Sequence, residues 1–221
     1  MALYVDTANP EEARQALNLG IVRGITTNPT LMRRMGESDL VTLDRLLDLN
    51  PGQLFVQLVG HKADELEQHL EKIRMRFPKE PLVFKVTPTW DGIRFCQRWQ
   101  ERERFLITAV NALEQAYVAQ EAGAGYVALY LHRYRLRHGT WPPLSELKQF
   151  TGAHLRIMIA SCHDIAEVQW ALVNGADDLT LPLSTIQQLL ANRDSEEDIA
   201  RFDRDASRPR PSGNRSAPTT S

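Results

Sequence analysis

Cysteine is scarce: the 221 residues contain only Cys96 and Cys162. Two thiols make no staple framework, so the fold must rest on a hydrophobic core, and a reducing compartment is expected. Long apolar runs are missing too, and none reaches the length that a membrane span needs. The opening "MALYVDTANP" has no basic region followed by an apolar one, so no secretory leader is expected and the cytoplasm is the expected location. Neither sign of charge dominates. A formal net charge of −2 gives no global pull toward nucleic acid or an anionic membrane surface, and neither is expected as a partner.

Several motifs are also absent. No G-x-G-x-x-G or Walker sequence follows a candidate strand, which weakens a doubly wound nucleotide-binding reading. His61, His69, His132, His138, His154 and His163 show no zinc-ligand spacing, and no H-E-x-x-H occurs. Cys162 beside His163 lacks a third group to orient the histidine, and sequence neighbours rarely form a nucleophile–base pair. Trp90, Trp99, Trp141 and Trp170 are spaced like packing residues and offer no stacking platform for nucleic acid.

What is present is a regular alternation. The β-rich runs "LYVDT" (3–7), "GITTN" (24–28), "LFVQLV" (54–59), "LVFKVT" (82–87), "RFLITAV" (104–110), "YVALYLHR" (126–133), "RIMIAS" (156–161) and "DDLTLP" (177–182) are separated by helical stretches. Leu66, Leu70 and Ile73 recur at helical spacing within one of these. Pro10 suits the first turn of a helix capped near Thr7 or Asn9. Eight strand–helix units in a chain of this length predict an α/β fold, a single (β/α)₈ TIM barrel of parallel strands over residues 1–194. An additional helix is expected at 195–206. The tail 207–221, rich in Pro, Ser and Arg and poor in large apolar residues, is expected to be disordered.

In such a barrel the chemistry sits at the C-terminal ends of the strands. Polar residues within the strand runs therefore form a set: Asp6 on the first, Thr26 and Asn28 on the second, Gln57, Lys85 and Thr108 on the next three, Tyr130 and Arg133 on the sixth, and Ser161 on the seventh. Lys85 interrupts an apolar run, where an ammonium group costs several kcal/mol, of order 3 or more, unless paired or neutralised. It reads either as half of a structural ion pair with Asp6 or as a neutral amine able to attack a ketone. Asp6 could pair with it, shuttle protons, or do both. Thr26 and Asn28 read as turn caps before Pro29 or as holders of substrate hydroxyls. Gln57 and Thr108 read as ordinary strand residues or as a pair positioning a water. Tyr130 reads as core or site, and Arg133, with Ser161, as a phosphate fork or a surface ion pair.

These residues stand within motifs that resemble the short transaldolase family of class I Schiff-base enzymes, especially its fructose-6-phosphate aldolase branch: "LYVDTAN", "GITTNPTL", "VFKV", "ITAV", "YVALYLHR", "IAS" and "LTLPL". The resemblance runs from about residue 3 to 205. It implies that Lys85 forms the imine, Asp6 transfers protons, Thr26 and Asn28 contact the donor, Gln57 and Thr108 bind water, Tyr130 assists proton transfer, and Arg133 and Ser161 bind phosphate. Glutamine at 57 and tyrosine at 130 are the aldolase branch's choices, where transaldolases usually carry glutamate and phenylalanine. His132 in place of asparagine, Cys162 in place of an aromatic and "FKVT" in place of "VKIP" are departures that flank the site and bear on the acceptor.

The resemblance implies an aldehyde-lyase that needs no metal or cofactor. It would join or cleave a ketone donor and an aldehyde acceptor, as in fructose 6-phosphate giving dihydroxyacetone and glyceraldehyde 3-phosphate. A transaldolase passing a dihydroxyacetone unit between sugar phosphates is the alternative, and a non-catalytic binding or assembly barrel is a third. The resemblance further implies that the C-terminal helix packs on a neighbouring subunit, in a homo-oligomer built as a pentameric ring or a decamer.

Overall fold

The computed structural model describes residues 1–151 and 154–208. The elements run β1 (Ala2–Asp6), α1 (Pro10–Leu17), β2 (Val22–Thr26), α2 (Pro29–Arg34), α3 (Asp39–Leu47), β3 (Leu54–Gln57), α4 (Ala63–Arg76), β4 (Leu82–Val86) and α5 (Trp90–Trp99). They continue with β5 (Phe105–Val110), α6 (Leu113–Glu121), β6 (Tyr126–Tyr130), α7 (Leu131–His138), α8 (Leu144–Thr151), β7 (Arg156–Ala160), α9 (Ile165–Val173), β8 (Asp178–Leu181), α10 (Leu183–Leu190) and α11 (Arg193–Ala206). All eight strands are parallel, each paired with the next and β8 with β1, so the sheet closes into the expected TIM barrel. The barrel lies in a compact unit, Met1–Ile186, and a second unit begins at Gln187.

The two-residue period of the strands sorts the core into two clusters. One set, including Val5, Ile25, Val56, Phe84, Ile107, Leu129, Ile159 and Leu181, joins the helix residues Leu43, Leu70, Phe95 and Val168 in the layer outside the sheet. The alternate set, Tyr4, Phe55, Val83, Leu106, Tyr126, Ala128, Met158 and Ala160, fills the barrel itself. Truncating a wholly buried phenylalanine such as Phe84 or Phe95 would cost about 3–5 kcal/mol. Gly24 permits the tight β2–β3 approach, since a Cβ there would meet the Gln53 carbonyl oxygen at 2.2 Å.

The N-terminal end of the barrel is closed by polar groups that satisfy one another. The Tyr4 hydroxyl donates to Gln53 Oε1 (2.8 Å), and Gln53 Nε2 donates to the Tyr126 hydroxyl (3.1 Å). Arg156 grips the fully buried Asp178 with Nε and Nη2 at 2.9 and 2.6 Å. Burial and the Asp178 charge push the Tyr4 phenol well above its usual range, so it stays a hydrogen-bond donor.

Three features differ from the sequence-based expectation. β6 stops at Tyr130, and 131–138 form α7, so Arg133 lies on a helix and not on the sixth strand. The apolar run through Leu129 and Leu131 imitates a longer strand, but Leu131 and Tyr134 are the buried positions, three apart as a helix requires. Gly139 at φ 66° ends that helix. A short helix, α2, also follows β2 directly, capped by Asn28, which places Asn28 beyond the strand. Finally, α11 begins at Arg193, where Asn192 accepts from the Ser195 N–H, two residues before the expected start. Of the tail expected at 207–221, residues 209–221 lie outside the described residues. Among the described residues no helix is long and apolar enough to cross a membrane.

Candidate active site

Continuing each inward set toward the C-terminal end of its strand brings polar residues into one layer. Tyr4 is followed by Asp6, Phe55 by Gln57, Val83 by Lys85, Leu106 by Thr108, and Ala128 by Tyr130. The same rule adds Thr26 on β2 and Thr180 on β8. These residues, with Asn28, Arg133 and Ser161, line a single cavity of about 590 Å³ at the C-terminal mouth. The barrel therefore gathers all nine candidate residues at one place. Another hollow, of about 520 Å³, lies on the outer surface among α4, α5 and α6, lined mainly by Ile93, Phe95, Tyr117 and Val118.

Lys85 is the buried basic side chain of this layer, only 6% exposed. Its Nζ donates to the backbone carbonyl of Thr27 at 2.6 Å, and its register partner on β3 is Gln57. Burial holds the amine well below the ordinary lysine range; the Asp6 charge pulls it back only in part. Asp6 moves the other way. Burial raises its carboxyl despite the opposing influences of Lys85 and a hydrogen bond from Thr26 Oγ1 (2.7 Å). Lys85 and Asp6 do not close an ion pair: each makes its hydrogen bond to another group. Both shifts favour the uncharged forms, an amine that can attack carbon and an acid that can deliver a proton.

Around this pair, Thr180 adds a group that the sequence reading passed over. Its hydroxyl lies 2.5 Å from that of Thr26. With the Thr26 proton given to Asp6, Thr180 is left to donate to Thr26. On the other side Thr108 Oγ1 lies 3.2 Å from the Tyr130 hydroxyl. Thr108 is thus joined directly to Tyr130, while Gln57 lines the same cavity from β3. The β5–β6 pairing slips between Ile107 and Val110, where Ala109 takes φ 59°. An alanine there costs roughly 1 kcal/mol or more, and the bulge sits beside the Thr108 that meets Tyr130.

Asn28 does cap a helix: its Oδ1 accepts the N–H groups of Thr30 and Leu31 at 3.1 Å each. That use fixes the side chain at the cavity wall without consuming its Nδ2 donors. Arg133, exposed on the first turn of α7, lies over the Tyr130 ring at 4.9 Å. Ser161 follows β7 in a left-handed conformation, φ 59°, and both reach the cavity from the same side. Arg34, at the end of α2, lines the mouth from the β2 side and was not singled out from sequence. Burial pushes the Cys162 thiol up to about 12, which disfavours a thiolate nucleophile beside His163.

A closed eight-stranded barrel with a buried lysine inside its C-terminal mouth has, where barrel enzymes carry their chemistry, a group of the kind that amine chemistry on a carbonyl requires. The sequence places it further. Residues 3–212 match the family model described as Transaldolase/Fructose-6-phosphate aldolase, and the chain belongs to that family. A "Probable transaldolase" of Thermodesulfovibrio yellowstonii is 28% identical over 210 residues, covering 93% of this chain and 97% of that protein. One from Shouchella clausii is 29% identical over 207 residues, covering 91% and 95%. Among solved structures, a thiamine phosphate pyrophosphorylase from Pyrococcus furiosus superposes with a TM-score of 0.53 at 16% identity, covering 81% of this chain and 85% of that one. At that identity the likeness speaks for the barrel alone.

Proposed function

We propose that the protein is a class I aldolase whose Lys85 forms an imine with a ketone donor such as dihydroxyacetone. The observation that carries this reading is the buried, unpaired Lys85 amine facing the cavity beside a carboxyl that is itself held toward its neutral form. The amine adds to the ketone carbon, and the carbinolamine expels water to leave the imine, with Asp6 moving the protons. Loss of a carbon-bound proton then places an electron pair in the enamine. That pair forms the new bond to the aldehyde carbon, and the aldehyde oxygen takes up a proton. Hydrolysis returns the amine. Running the sequence backwards cleaves a ketose phosphate.

In this reading Tyr130, hydrogen-bonded to Thr108, handles the proton at the acceptor oxygen, with Gln57 and Thr108 holding the hydrolytic water. Thr26 and Asn28 hold the donor hydroxyls. Arg133 and Ser161 bind the acceptor's phosphate, consistent with their shared side of the mouth. Gln57 and Tyr130 support aldol cleavage of fructose 6-phosphate to dihydroxyacetone and glyceraldehyde 3-phosphate, because both match the aldolase branch. The names of the curated relatives favour the second reading, transfer of the dihydroxyacetone unit to another aldose phosphate.

Fructose 6-phosphate supplied alone separates the two. Free dihydroxyacetone released at many turnovers per site supports the aldolase. Release limited to one equivalent or less, with rapid turnover once erythrose 4-phosphate is added, supports the transaldolase and overturns the first choice. A cytoplasmic homo-oligomer, pentameric or decameric, in which α11 packs on a neighbouring subunit, completes the proposal. Ile199 and Phe202 give that helix exposed apolar positions three apart. Sedimentation as a monomer would contradict it.

A further inference from the structure

Glu167 on α9 is wholly buried, yet the chemistry above gives it no task. Its carboxylate gathers three donors. Oε1 receives Arg135 Nη1 and lies against His132 Nδ1, both at 2.9 Å, and Oε2 receives the backbone N–H of His163 at 2.8 Å. A carboxylate can only accept, so His132 carries a proton on Nδ1. Asp164 caps the same helix by accepting the Glu167 N–H at 2.8 Å. One buried group therefore fixes two histidines, His132 by its ring and His163 by its backbone.

The consequence is a stacked pair. The imidazoles of His132 and His163 lie 3.8 Å apart and 10° from coplanar. His132 forms part of an outer hollow with Arg135 and Trp141, whereas His163 lines the active-site cavity together with Arg133 and Ser161. The backbone N–H of His132 also donates to the Ser161 carbonyl (3.3 Å), tying α7 to the strained residue after β7. Among the described residues no protein group hydrogen-bonds the His163 ring, and both its nitrogens lie in the ring plane, away from the stack. Arg133 is held over Tyr130 in a comparable way. Two donors on one side of the cavity are thus each steadied by an aromatic face, which reduces the ordering cost of binding an anion.

Resting on the aldolase–transaldolase reading, we propose that His163 is a specificity-determining residue of the acceptor end, giving a ring N–H to the substrate phosphate beside Arg133 and Ser161. His132 and Glu167 are positioning residues that hold that ring in place. The charged groups around the pair are Arg133 and Arg135 on α7 and Asp164 and Glu167 on the α9 side, and Glu167 is matched by Arg135.

The test uses the full chain and two separate readouts. Calorimetric titration with inorganic phosphate is expected to show about tenfold weaker binding for His163→Ala, the scale of one hydrogen bond to a charged group. With dihydroxyacetone as donor, the same variant should show a KM for glyceraldehyde 3-phosphate raised about tenfold at nearly unchanged kcat, with glyceraldehyde unaffected. His132→Ala, which frees the ring, should give a smaller shift in the same direction, and His132→Phe, which keeps a stacking face, should restore most of it. Wild-type phosphate affinity in His163→Ala, or an equal loss toward both acceptors, would overturn the proposal. Borohydride trapping of a dihydroxyacetone adduct on wild-type Lys85 reports on the underlying reading separately: an adduct with unaltered phosphate binding in His163→Ala sinks this inference alone, and absence of the adduct sinks the aldolase reading.

Discussion

At the N-terminal end of the barrel, the buried Asp178 is gripped by two nitrogens of Arg156, and the Tyr4–Gln53–Tyr126 chain satisfies its neighbours. At the C-terminal end, on the same inward-facing positions, Lys85 lines the cavity and donates to one carbonyl, while Asp6 turns to Thr26. The strand period that buries both sets is identical. What differs is closure. Polar groups that complete one another stabilise a fold, whereas groups that converge on a space without completing one another hold reactivity in reserve. Bulge geometry follows the same division: Ala109 and Ser161, two of three non-glycine residues with positive φ among the described residues, both lie at the open end.

The comparison breaks most sharply at Lys85. Lys85→Met should lower turnover by on the order of 10⁴-fold or more, the scale for losing a covalent nucleophile. It should nonetheless unfold at higher urea, because an unpaired buried amine is replaced by a well-packing apolar chain, a gain of about 1 kcal/mol. At the closed end the pattern reverses. Asp178→Asn should leave the imine chemistry in place but destabilise the fold by about 3 kcal/mol, read from the urea midpoint, since Arg156 loses its buried partner. Tyr130→Phe should reduce kcat about 10²-fold with little change in stability, as Thr108 keeps its place and only the phenolic proton is lost.

The smallest expected effect concerns pH. The folded-state pKa of Lys85 is depressed, so the unfolded chain holds that proton more tightly. Stability therefore rises as pH climbs from the depressed folded value to the ordinary one near ~10.4. The raised carboxyl of Asp6 contributes oppositely, with stability present at low pH and lost as pH rises through its folded value. Urea midpoints at pH 7 and pH 10 should show the wild type gaining relative to Lys85→Met over that interval. A parallel response in the two proteins would mean that the amine is not held neutral.

Much of this arrangement was legible in the sequence because a period of two writes the barrel's interior directly: one lysine in "LVFKV" is visible against its apolar neighbours. Other features were hidden by the same regularity. "YVALYLHR" continues its apolar spacing past Tyr130, so Arg133 read as strand when Leu131 and Tyr134 in fact bury a helix face. Thr180 sits in "DLTLP", where threonine is an ordinary strand former, and only closure of β8 against β1 brings it to Thr26. Glu167 looks like a solvated helix charge; its burial depends on Arg135 and His132, which arrive from α7. Contacts between distant elements carry no local signal.

The central claim is that Lys85 is a free amine which forms an imine. Its most direct test is intact mass after borohydride reduction with dihydroxyacetone, or with fructose 6-phosphate, followed by peptide mapping of wild type and Lys85→Ala. The account predicts one reduced adduct per chain in the wild type, confined to Lys85, and none in the variant. No adduct with either ketone, or an equal adduct in both proteins, would contradict it.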